Sequence, residues 1–225
     1  MTSHQSDSLF DPIELPPDKQ LKVDAYRIRN RLAVKGQTVF AGSSLMEFFP
    51  ILELQQASGK SFISYNRGVA GFVTRELAAS LEECVLELEP TRLFINIGSN
   101  DMNEPDYTPE ALIGRYEMIL NRIKERLPDC RIFTMAYYPV NAEAEFPGVD
   151  PAGAKEFFSK RNNETIADAN AAVEEMAKRL GVAYIDVNDG LTDERGNLNA
   201  DYCWDGIHMF ANGYKIVWDH LQRYL

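Results

Sequence analysis

The sequence predicts a three-layer α/β/α domain, a five-stranded parallel sheet with helices on both faces. Five short apolar runs, at 38–41, 62–65, 93–97, 131–137 and 182–186, read as strands. Stretches with apolar residues at helical spacing separate and follow them, at 44–58, 73–84, 108–127, 156–180 and 211–224. Strands that alternate with helices form βαβ units, whose crossovers make the sheet parallel and cover both of its faces. The length of 225 residues and a hydrophobic fraction of 45% suffice for one sizeable core, hence one globular domain. Such sheets take ligands beyond the C-terminal ends of their strands, so residues just after a strand and in late loops are the candidates for chemistry.

Each element has a local reason. Residues 1–20 are polar, carry Pro16-Pro17 and read as an arm over the surface, with Phe10 and Leu15 as its packing residues. LKVDAYRIRNRLAVKG then has helical spacing and stops at Gly36, so 1–36 form an N-terminal arm and helix and 37–225 the domain proper. The helix at 44–58 opens in FAGSSLMEF (40–48), where serine, the commonest of helix N-caps, occurs twice in a row. The helix at 108–127 begins Thr108-Pro109-Glu110, with proline at the first helical position, and Pro128 closes it. In the last helix Tyr214, Val217, Leu221 and Leu225 define a buried face. The stretch PVNAEAEFPGVDPAGAKE (139–156) is long, acidic and rich in Pro, Gly and Ala, and reads as a lid or substrate loop at the ligand end of the sheet.

Composition excludes several classes. A net charge of −11 argues against binding a nucleic-acid backbone or an anionic membrane, both of which require clustered Lys and Arg. No apolar run approaches the ~18 residues of a transmembrane helix, and MTSHQSDSLFDPIELPPDKQ lacks the apolar centre of a signal peptide. Cys84, Cys130 and Cys203 are odd in number, far apart and free of any CxxC pair, which points away from a disulfide framework or a structural zinc site. Reduced thiols and the missing signal-peptide centre together suggest the cytoplasm.

Three histidines are available for acid–base chemistry. His4 lies in the arm and His220 in the last helix; His208 stands in CWDGIHMFANGY, a loop ahead of that helix, three residues after Asp205. At that separation the carboxylate reaches one imidazole nitrogen while the other faces a substrate, the orientation a general base needs. A turn at Asp205-Gly206 with an ordinary polar histidine explains the same residues. After the third strand comes IGSNDMN (97–103), in which Asn100 can offer its amide to a developing oxyanion or simply form a turn. After the second comes YNRGVAGFVT (65–74), whose Gly68 and Gly71 permit backbone N–H groups to face a cleft or merely allow a tight turn. Each piece alone is ambiguous. Taken in order, they supply nucleophile, oxyanion donors, orienter and base, all at one end of one sheet.

These four blocks resemble those of the SGNH hydrolases, the GDSL-like esterase and lipase superfamily. They stand here as Gly42-Ser43-Ser44-Leu45, Asn66-Arg67-Gly68-Val69-Ala70-Gly71, Gly98-Ser99-Asn100-Asp101 and Asp205-Gly206-Ile207-His208. The resemblance spans about residues 37–225 and extends, in size and strand order, to the platelet-activating-factor acetylhydrolase branch. It implies a flavodoxin-like sheet and a serine esterase for small or medium acyl esters, sugar O-acetyl groups and lysophospholipids among them. The reaction it implies runs through an acyl-enzyme and needs no metal or organic cofactor. Ser44 is then the nucleophile, His208 the general base and Asp205 the group that orients His208. The oxyanion hole comprises the backbone N–H groups of Ser44 and Gly71 with the Asn100 side chain. Gly71 is preferred as the second glycine of its block; the residues themselves do not choose between it and Gly68. Capping and catalysis are compatible at Ser44, since a helix N-terminus stabilises an oxyanion beside it.

One block departs from the family pattern. Ser43 replaces the aspartate that precedes the nucleophile, which removes a charge from the loop without touching the triad. GSS variants of this kind occur among carbohydrate esterases of the superfamily. The missing aspartate and the acidic 139–156 stretch also allow a catalytically inert flavodoxin-like binding module, and the same acyl-enzyme could serve an acyltransferase. The chain order Ser–Asp–His matches α/β-hydrolases as well, but no GxSxG elbow is present. The expected partner is a small-molecule ester. The arm and helix at 1–36 either cover the core or join copies of the chain into a homo-oligomer.

Overall fold

The computed structural model describes residues 8–225, so His4 and the first residues of the arm lie outside the described residues. Five strands, β1 (Thr38–Gly42), β2 (Ser64–Gly68), β3 (Arg92–Asn96), β4 (Arg131–Met135) and β5 (Ala183–Ile185), form one sheet in the order β2-β1-β3-β4-β5. Every neighbouring pair is parallel. This is the flavodoxin-like order: β2 lies on one side of β1 and all later strands on the other. The crevice at the switch point therefore opens beside the C-terminal end of β1.

Register explains why both faces are buried. Phe40, Phe94 and Phe133 are in-register partners on adjacent strands. Their rings stack at 4.9 and 4.8 Å between centroids. Such contacts contribute about 0.5–1.5 kcal/mol each beyond the area they bury. Their neighbours Val39, Leu93 and Ile132 point the opposite way, as the two-residue period of a strand demands. That second face is covered by α1 (Pro17–Asn30), α4 (Thr74–Ala79), α5 (Leu81–Cys84), α6 (Pro109–Arg126) and α8 (Asn163–Leu180). The phenylalanine face lies under α2 (Ser44–Glu47), α3 (Ile51–Ala57) and α9 (Ala211–Leu221). In α9, Tyr214, Val217 and Leu221 are fully buried, together with Trp218.

Several helices differ from the sequence expectation, each for a local reason. The helix at 44–58 is two helices, because Pro50 cannot donate a helical hydrogen bond and disfavours helical backbone in the residue before it. The one at 73–84 breaks at Ser80. The one at 156–180 is α8 preceded by α7 (Pro151–Lys160), so the irregular excursion is shorter than 139–156. Asp150 caps α7 by accepting from Gly153 N (2.8 Å), and Asn162 caps α8 by accepting from Glu164 N and Thr165 N. α1 starts earlier than expected, with Pro17 at a position whose N–H would have no helical partner. It buries Val23 and Tyr26 in the sheet's own core and leaves Leu21 and Ile28 exposed. Leu9, Phe10 and Leu15 of the arm pack against that core as well. No helix among the described residues is long and apolar enough to cross a membrane.

Candidate active site

Ser44, His208 and Asp205 form a hydrogen-bonded series across the chain. Ser44 Oγ lies 2.8 Å from His208 Nε2, a contact between residues 164 apart in sequence. His208 Nδ1 lies 2.6 Å from Asp205 Oδ2. Ser44 is presented by the β1–α2 turn, where Ser43 adopts extended backbone and its carbonyl accepts from Met46 N and Glu47 N. Ser43 thus stands at the N-cap, but its hydroxyl makes no capping bond and is buried without a partner. α2 is a single turn, so any helix-dipole support for charge at Ser44 comes from few peptides.

Asp205 uses both carboxylate oxygens. Oδ1 accepts from Ile207 N (2.9 Å) and His208 N (2.8 Å), which folds the loop, while Oδ2 holds the imidazole. Burial pushes this carboxyl up, but the hydrogen bonds from the His208 ring, from His208 N and from Ile207 N outweigh it and hold the group below its ordinary value. A lowered folded-state pKa stabilises the protein fully above the unfolded value of about 4 and loses that stabilisation as pH falls through the folded value. Asp205→Asn is accordingly expected to be less stable than the native chain at neutral pH, with the gap narrowing below about pH 4 in urea unfolding. A constant gap across that range would contradict the assignment.

Gly206, inside this loop, has φ +84°, and a Cβ there would stand 2.3 Å from Asn141 O. Only glycine permits this approach, and Asn141 N in turn donates to Gly206 O at 2.8 Å. The β4–α7 segment is thereby tied to the His208 loop. Between that segment and α7 lies a cavity of about 700 Å³, lined by Phe146, Val149, Ala154 and Phe158, with Glu143 and Glu145 among its polar residues. The Phe146 and Phe158 rings abut Gly206.

The structure separates the two glycines that the sequence left undivided. A Cβ on Gly68 would meet Glu47 N at 2.3 Å, so Gly68 is where α2 lies directly on β2. Gly71 has φ +73° in the turn closed by Phe72 N donating to Val69 O (3.1 Å), the type II pattern that calls for glycine at its third position. Both peptides flanking the Gly71 N–H are pinned. Ala70 N donates to Glu47 Oε2 (2.7 Å), and Glu47 pairs with Lys22 of α1. Gly71 O accepts from Lys19 Nζ (2.8 Å), which also pairs with Glu76. α1 thus braces the glycine block from behind, with Tyr26 Oη donating to Gly68 O (2.5 Å) as a third contact.

Asn100 follows β3. Its Nδ2 donates to Phe72 O (3.0 Å), next to Gly71, and its Oδ1 accepts from Arg161 Nη1 (3.1 Å). Asp101 beside it accepts from Thr74 N, Thr74 Oγ1 and Arg115, which anchors the start of α4 to this loop. Burial nonetheless holds the Asp101 carboxyl above its ordinary value. Arg161 was hidden inside a predicted helix, and nothing in the sequence marked it. Trp204 and Phe48 were also missed, although both adjoin quoted blocks. Trp204 stacks on His208 at 5.5 Å and 17°, and Phe48 meets the same ring edge-on at 5.3 Å. Both are partly exposed, as is Phe210 against Trp204, so an aromatic rim surrounds the histidine. His220 accompanies Asp189 O instead, at 3.1 Å.

A flavodoxin-like sheet carrying a serine, a histidine and an aspartate in series beside its switch point has the architecture of an SGNH-type hydrolase. Residues 51–216 match the GDSL-like Lipase/Acylhydrolase family; the chain belongs to that family and is a carboxylic ester hydrolase. The matched span includes Gly71, Asn100, Asp205 and His208 and begins beyond Ser44. N-acylneuraminate cytidylyltransferase of Escherichia coli is 25% identical over 205 residues, covering 87% of this chain and 44% of that protein, so the chain spans less than half of that relative. Platelet-activating factor acetylhydrolase IB subunit alpha1 of Bos taurus is 23% identical over 182 residues, 80% of this chain and 71% of that one. A solved Streptococcus pneumoniae protein, provisionally described as a platelet activating factor, superposes with a TM-score of 0.80 at 28% identity over 92% of each chain. An acetylxylan esterase from Geobacillus stearothermophilus shares the fold at a TM-score of 0.63 and 18% identity, over 84% of this chain and 94% of that one.

Proposed function

We propose that this chain is a serine esterase in which Ser44 attacks the carbonyl carbon of a short-to-medium acyl ester. The observation that carries the reading is the Ser44–His208–Asp205 series, with contacts of 2.8 and 2.6 Å. His208 Nε2 takes the Ser44 proton during attack and returns it to the leaving alcohol, while Asp205 keeps Nδ1 protonated and the ring aligned. The tetrahedral oxygen becomes negative. Donors for it are the Ser44 N–H, orphaned at the first position of its helix, the Gly71 N–H, and the second amide hydrogen of Asn100. Such donors are typically worth about 3 kcal/mol each in the transition state. Water then attacks the acyl-enzyme, with His208 again as base.

Support for the substrate class comes from the relatives and from the side chains around the triad. Two relatives are named for removing acetyl groups, from platelet-activating factor and from xylan, which supports a small acyl group here. The aromatic rim of Phe48, Trp204 and Phe210 offers flat apolar faces to a sugar ring or an alkyl portion of the alcohol. In a panel of p-nitrophenyl esters kcat/KM is expected to be highest for acetate and to decline as the acyl chain lengthens. Acetylated sugars and lysophospholipids tested beside it distinguish the two alcohol classes. A maximum at long acyl chains would sink the small-acyl reading.

A further inference from the structure

We infer that Arg161 is a positioning residue for the oxyanion-stabilising amide of Asn100, a role that rests on the reading of Asn100 given above. A side-chain amide can point either way, since its oxygen and nitrogen are nearly equal in size and differ only in hydrogen-bonding sense. Here both ends are specified. Arg161 Nη1 donates to Oδ1 at 3.1 Å, and Phe72 O accepts from Nδ2 at 3.0 Å. A flipped Asn100 would set its NH2 against a guanidinium and its carbonyl against a carbonyl. The observed orientation spends one amide hydrogen on Phe72 and keeps the other available for an oxyanion.

The placement of Arg161 is costly by ordinary standards. The residue is 3% exposed, at the junction of α7 and α8, where its backbone N–H donates to Phe157 O. Its Nε is buried with no hydrogen-bond partner, and among the described residues no carboxylate forms an ion pair with it. Guanidinium groups buried in this way are normally paired. Burial pushes the group down to about 10, which leaves it cationic at neutral pH. A buried, unpaired cation one hydrogen bond from Asn100 polarises the amide and puts positive potential where negative charge develops. Among the described residues, the one hydrogen bond from its guanidinium to a side chain goes to Asn100, so its effect on the site is assigned through that amide.

A double-mutant cycle on p-nitrophenyl acetate hydrolysis tests this, using Asn100→Ala, Arg161→Met and both together in the full chain, with thermal melts as the folding control. Asn100→Ala is expected to lower kcat by about 10²–10³-fold. Arg161→Met is expected to lower kcat at least about tenfold with KM little changed, and to add almost nothing in the Asn100→Ala background. Arg161→Lys, which keeps a cationic donor, is expected to recover part of the loss and serves if Arg161→Met does not fold. A silent Asn100→Ala overturns the oxyanion reading and the proposal with it. A damaging Asn100→Ala on which Arg161→Met, or Arg161→Lys in its place, multiplies independently leaves that reading standing and overturns the role of Arg161 alone.

Discussion

Ser44→Ala is expected to remove ester hydrolysis almost entirely, a loss of about 10⁴–10⁶-fold in kcat, with KM and thermal stability little altered. The hydroxyl's side-chain contact is with His208, so its deletion breaks the reacting series without opening a large core cavity. No neighbour can take its place. Ser43 is adjacent in sequence, but its Oγ is buried and unpartnered, so Ser43→Ala is expected to keep most of the activity and cost little stability. Initial rates on p-nitrophenyl acetate and stoichiometric labelling by a fluorophosphonate check both variants. Loss of labelling in Ser44→Ala, with full labelling in Ser43→Ala, is the expected pattern. Activity retained by Ser44→Ala, or absent labelling of the native chain, would place the nucleophile elsewhere.

Gly68→Ala is expected to cost both stability and rate by forcing two packed elements apart beside the site. The added carbon would lie 2.3 Å from Glu47 N and 2.8 Å from both Glu47 Cα and Met46 C. All three are backbone atoms, so no side-chain rotation relieves the overlap and α2 must move off β2. Overpacking of this kind costs about 1–3 kcal/mol. Because α2 carries Ser44, a displacement of about 1 Å would also cost about 10²-fold in rate. Gly71→Ala is the matching contrast. Its Cβ meets only the flexible end of Lys19 at 3.3 Å, so the penalty reduces to the positive φ, about 1–2 kcal/mol. Melting temperatures of the two variants, measured beside kcat, test the ranking; a Gly68→Ala protein as stable and active as the native chain would contradict the packing of α2 against β2.

Much of the architecture was legible because periodicity and punctuation are local properties. Alternating apolar runs and helical spacing foretold five parallel strands, and Thr108-Pro109 marked the start of α6 to the residue. Helix interruptions were less legible. Asn162 caps α8 inside what spacing alone presents as one helix, since the apolar face carries on across the break. The arm is a similar case: Pro16-Pro17 looked like a surface tail, yet Pro17 begins a helix whose Lys19, Lys22 and Tyr26 brace the glycine block.

The sequence by itself determined which residue types were on offer and in what order, because each block needs a particular side chain just after a particular strand. Gly42-Ser43-Ser44, Gly68 through Gly71, Asn100 and Asp205-Gly206-Ile207-His208 all stand out in the chain itself. Only the tertiary structure decided what each one touches. It put Ser44 within 2.8 Å of His208, gave Gly68 to packing and Gly71 to a turn with positive φ, and left the Ser43 hydroxyl without a capping bond. It also brought Arg161 to Asn100 from 61 residues away. Contacts of that range depend on how separate helices close over the end of the sheet, and no local pattern in the chain encodes that closure.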